Sequence, residues 1–66
     1  MDANRREKIR MLVRILEPIE EEVRRIYSEE TEAGQISEEA LHYLATAHIA
    51  LSDALYHMKL AVGDDD

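Results

Sequence analysis

Glu39-Ala40-Leu41-His42 is a Glu-x-x-His quartet, the spacing that di-iron and di-manganese helical bundles use to aim a carboxylate and an imidazole at one metal. Such a centre also needs a carboxylate facing in from a second helix. In a hairpin the nearest residues are Ser28, Glu30 and Glu32, which at a bundle end read more simply as a solvated acidic rim. The quartet recurs by chance in Glu-rich helices, so Glu39 and His42 stand as an alternative metal reading and no cofactor is expected. His48 falls among leucines, near Val23 and within reach of Glu20 or Glu22. A histidine there fixes register by pairing with a carboxylate or with its own copy; its functional reading is a pH-responsive element. Asp53 and His57, at i and i+4, read as an ordinary surface pair. The chain has no Cys and only two Gly, no phosphate-cradling loop, and no Ser in a nucleophile context. An enzyme is not expected.

Charge supplies two further candidates. The net charge of −7 is unevenly placed: residues 1–16 carry five basic and two acidic groups, residues 17–39 nine acidic and two basic, residues 40–66 four acidic and one basic. Arg6, Arg10 and Arg14 recur every four residues, a strip that could meet phosphate or pair with the acidic tail. Glu20, Glu21, Glu29, Glu30 and Glu32 belong to an acidic tract that could occupy a basic, nucleic-acid-binding surface of another protein. The overall charge opposes nucleic acid, which makes a protein partner the leading expectation and RNA the lesser one.

These groups must ride on helices. In the second half, Leu41, Leu44, His48, Leu51, Leu55, Met58 and Val62 keep a 3-4-3-4 spacing, the seam of a helix packed on another. Ala40, Ala47, Ala54 and Ala61 flank it every seven residues. Ser37 caps this helix, Glu38 and Glu39 suit its first turn, Ile36 and Leu41 can staple it, and Gly63 stops it. In the first half Ile9, Leu12, Leu16, Ile19, Val23 and Ile26 keep the same spacing. Asn4 is the expected cap, with Glu7 closing a capping box, and Gly34 the terminator. Pro18 predicts a kinked helix or a break at Glu17, because it removes a hydrogen bond and crowds the preceding turn at ~3 kcal/mol. The layout is helix 4–33, turn 34–37, helix 38–62 and acidic tail 63–66, a single all-α antiparallel hairpin. Folding about residue 35 places Leu12 near Met58, Ile19 near Leu51 and Ile26 near Leu44, and brings Asp64, Asp65 and Asp66 beside the basic N-terminus.

One hairpin does not use all the apolar residues. On the second helix Ile49 and Tyr56 lie to one side of the seam, Tyr43 and Ala50 to the other. On the first, Met11, Val13 and Ile15 widen the apolar half. A helix apolar nearly all round is covered from several sides, so the expected form is a homodimeric four-helix bundle. No apolar run approaches the roughly 20 residues of a membrane span, and no signal-peptide core follows Met1; the expected location is cytoplasmic.

The pattern resembles the Rop family of plasmid RNA-binding proteins. Asp53-Ala54-Leu55-Tyr56, then Leu60-Ala61 and Gly63-Asp64-Asp65, is locally similar to the end of that family, over about a fifth of the chain. The resemblance implies a dimeric four-helix bundle and RNA held on the first helix, where Arg10 and Arg14 stand here. That surface lacks the family's aromatic, and Pro18 follows. The combined expectation is a non-enzymatic, acidic protein-binding module acting as inhibitor or adaptor.

Overall fold

The computed structural model describes residues 1–63 of the 66. It is a helical hairpin: α1 spans Ala3–Ala33, α2 spans Glu38–Val62, and residues 34–37 join them. Asp2 rather than Asn4 caps α1. Its carboxylate accepts from the Arg5 N–H at 2.8 Å and its carbonyl from the Arg6 N–H at 3.0 Å. A carboxylate one residue ahead of the helix satisfies an orphan donor and also opposes the positive helix end, which a neutral Asn cannot do. Ser37 caps α2 through a 3.1 Å bond from the Ala40 N–H. Gly34 and Gly63 close the two helices with φ of 65° and 84°, the left-handed region where a Cβ is penalised.

α1 runs through Pro18 as one helix, which overturns the expected alternative of a break at Glu17. The missing N–H deprives only the Arg14 carbonyl of its donor. Arg14 and Pro18 are both exposed, so water can reach that carbonyl on the solvent side of the helix.

Burial divides α2 cleanly. Leu41, Leu44, His48, Leu51, Leu55, Met58 and Val62 are all buried or half-buried, whereas Ala47, Ala54 and Ala61 are exposed. In α1 the expected seam is rotated by about one residue. Ile9, Leu16 and Val23 stay inside, but Leu12, Ile19 and Ile26 are 49%, 45% and 40% exposed, and Val13, Glu20 and Tyr27 replace them. The inner row of α1 is therefore Ile9, Val13, Leu16, Glu20, Val23, Tyr27 and Glu30, again at alternating steps of four and three. Rotation brings Glu20 to His48 and Glu17 to Lys59, a polar gain that counting apolar residues does not reveal.

The hairpin measures 47 × 18 × 15 Å with a radius of gyration of 14.7 Å, against ~11 Å for a compact chain of this length. Its accessible surface is 5062 Å², against ~4300 Å² for a compact monomer of this mass. Among the described residues only Val13, Leu55 and Val62 are buried apolar side chains, while ten large apolar ones are exposed. No described helix is long and apolar enough to cross a membrane.

Candidate functional site

Among the described residues, a polar pair set in the core joins the two helices at mid-length. His48 Nδ1 lies 2.8 Å from Glu20 Oε2, and Glu20 is only 9% exposed. Arg24 Nε approaches the same oxygen at 4.0 Å. The carboxylate is held where water is scarce, so the imidazole N–H is its main hydrogen-bond donor and the contact is short and geometrically demanding. A second cross-helix pair, Lys59 Nζ to Glu17 Oε2 at 2.9 Å, lies on one edge of the seam and is partly exposed.

The acidic tract is accordingly not one ridge. Glu20 is withdrawn into the core against His48, a correction to its expected place on a partner-binding surface. Glu30 is half-buried on the seam, and its carbonyl accepts the Gly34 N–H at 3.0 Å. Glu21, Glu29 and Glu32 remain exposed. Their neighbours include Arg25, which binds Glu22 at 2.8 Å, so the outward surface is acidic with a basic interruption.

The basic strip is also divided. Arg14 is exposed, whereas Arg6 and Arg10, near the start of α1, are half-buried. Arg6 Nη2 donates to the Met1 carbonyl at 3.5 Å, and Arg10 pairs with Glu7 at 3.8 Å. The expected pairing of this strip with Asp64, Asp65 and Asp66 falls outside the described residues.

Glu39 and His42 are both exposed, and among the described residues no group of three or more His, Asp or Glu side chains is gathered as a metal would require. His57 Nδ1 donates within its own helix: it sits 2.8 Å from the Asp53 carbonyl and 3.5 Å from Asp53 Oδ1, one turn back. An open depression beside it is lined by His48, Ile49, Ser52, Asp53 and Tyr56, all from α2; it is a surface of one helix, with no second element to close over a ligand.

What the hairpin offers in quantity is uncovered apolar surface. Leu12, Ile15, Ile19 and Ile26 line one side of α1; Tyr43, with the exposed Ala47, Ala50, Ala54 and Ala61, lines one side of α2; Ile49 and Tyr56 lie on its other side. The division of α1 into an inner and an outer apolar row was missed in the sequence because Ile9, Leu16 and Val23 fit a helical seam with either neighbour set. The signal that separates them is His48: the sequence places it within reach of Glu20 or Glu22, and the observed partner is Glu20 at 2.8 Å, the acid that a one-residue rotation of the expected seam turns inward. No protein-family model, curated protein or solved structure matches this chain.

Proposed function

We propose that this chain is a non-enzymatic interaction module whose working form is a homodimeric four-helix bundle, and that its acidic outer positions engage a basic surface on another protein. The observation that carries the reading is the imbalance between three buried and ten exposed large apolar side chains. Soluble monomers seldom leave contiguous apolar stripes of this kind uncovered, and a hairpin of two helices cannot bury them on itself. With the apolar rows covered by a second copy, the exposed acids Glu21 and Glu32 remain outward, and each is presented twice. That doubled negative surface suits a basic groove such as nucleic-acid-binding proteins carry, which makes inhibition or adaptation the natural mode of action. The reading is tested by capture of partners from the native host with the wild-type chain and with the Glu21→Lys/Glu32→Lys variant. A basic protein retained by the first and lost by the second, with helicity equal in both, supports it. Equal capture by both proteins overturns the acidic-surface mode.

A further inference from the structure

The outer rows of the two helices carry a pattern that specifies how a second copy is seated. Glu17 and Lys59 meet at 2.9 Å along one edge of the hairpin seam. Around α1 the residues on the opposite flank of that seam are Leu12, Ile19 and Ile26; around α2 they are Ala40, Ala47, Ala54 and Ala61. In an antiparallel pair the like flanks of the two helices fall on the same side, so these residues form one face, opposite the Glu17–Lys59 edge. Apart from Ala40, which is half-buried, they are exposed.

Each helix has a second complete 3-4 row on this face. On α1 it reads Lys8, Leu12, Ile15, Ile19, Glu22, Ile26 and Glu29; on α2 it reads Tyr43, Ala47, Ala50, Ala54, His57 and Ala61. Most exchanges in both rows are complementary when reversed. About Ile19, Leu12 exchanges with Ile26 and Lys8 with Glu29, and Ile15 with Glu22 is the single mixed pair. About Ala50, Ala47 exchanges with Ala54, and Tyr43 with His57. Ile19 and Ala50 lie at nearly one level of the hairpin, because Glu20 touches His48 next to them. Two independent centres of reversal thus coincide, as a single two-fold axis requires.

We infer that a second copy of this chain docks on this face about a two-fold axis crossing the helices at Ile19 and Ala50, so that α1 packs antiparallel on its copy and α2 on its copy. This rests on the homodimer reading above and adds its face, axis and register. The second copy is favoured over any other occupant by charge and by area. The basic start of α1 meets the acidic end of its copy, Lys8 against Glu29, whereas a parallel pairing sets like charges together. The hairpin is 47 Å long and 18 Å across, long enough for the two copies to stay in contact over several helical turns and approach the ~800 Å² per partner of a standard stable interface. The alanine row lets the two α2 helices approach closely, and the bulkier isoleucine row fills the wider gap between the two α1 helices.

The chain has no native Cys, so single cysteines report the axis directly. Ala50→Cys and, in a separate protein, Asp53→Cys are purified reduced, oxidised with diamide at micromolar concentration, and compared by non-reducing electrophoresis beside sedimentation of the wild-type protein. The expected result is a wild-type mass near 15 kDa, twice the 7.6 kDa chain, with most Ala50→Cys chains covalently dimeric and Asp53→Cys chains largely uncrosslinked. A wild-type dimer whose Ala50→Cys form crosslinks no better than Asp53→Cys overturns the axis and leaves the homodimer reading standing. A wild-type mass of one chain overturns both. Equal helicity of the two variants by circular dichroism shows that each is folded; if Ala50→Cys is less helical, Ile19→Cys, at the same axis on α1, replaces it with the same two outcomes.

Discussion

At the scale of single residues, the Glu20–His48 contact is the point where the core is most demanding. Glu20 is nearly covered, with His48 at 2.8 Å and Arg24 at 4.0 Å from its carboxylate. His48→Leu therefore leaves a carboxylate inside without its donor and is expected to cost about 1–3 kcal/mol in urea unfolding. Glu20→Leu should cost less, because the half-buried imidazole can turn partly to water. The double variant Glu20→Leu/His48→Leu removes both polar groups and is expected to be at least as stable as His48→Leu alone, and near wild type. A double variant as damaged as the sum of the singles would show that the pair is not the origin of the loss. By contrast the exposed Arg25–Glu22 pair, though also 2.8 Å, should contribute no more than ~0.5 kcal/mol, since water and salt screen it.

At the scale of elements, the two helices were not equally legible in the sequence. α2 could be read nearly whole: Ser37 is the sole hydroxyl cap ahead of it, Gly63 ends it, and its leucines leave one choice of inner row. α1 offers two apolar rows sharing a flank, and periodicity alone cannot say which faces α2. The choice is made by Glu20 and Glu17, whose partners lie 28 and 42 residues away in the chain, beyond any local pattern. The Asn4 cap failed for a simpler reason: Asp2 stands two residues earlier and carries the charge that the helix end favours. Pro18 remains the costliest residue within α1. Pro18→Ala restores the donor to the Arg14 carbonyl, and the expected gain is about 1–3 kcal/mol, read as a raised melting temperature. At the turn, Gly34 adopts a φ of 65° with open space around its absent Cβ. Gly34→Ala is thus penalised by backbone conformation alone, at about 1–2 kcal/mol, and no neighbouring side chain needs to move.

At the scale of the whole molecule, a hairpin with so little buried inside depends on what covers it. If a second copy does so, the midpoint of thermal unfolding should rise with protein concentration, because folding and association are then one equilibrium. Ile19→Glu places two carboxylates against each other at the proposed axis. It is expected to give a chain that sediments at one protomer's mass and melts independently of concentration. Lys8→Glu should weaken association more mildly, by removing attraction to Glu29 at the rim, and the difference from wild type should shrink as salt is raised.

The hairpin form itself has a consequence for tethering. Ala3 and Val62 lie at the same end of a rod 47 Å long, with the Gly34 turn at the other. In the reversed pairing, the ends of one copy lie beside the turn of the other. Cargo fused to either terminus would be carried at opposite poles, tens of ångströms apart. Joining two copies head to tail in one polypeptide would then demand a linker able to cross the full length, at least ~14 extended residues. A six-residue linker should drive such a tandem chain to pair with other chains, and a twenty-residue linker should let it close on itself, a difference visible in its mass at dilution.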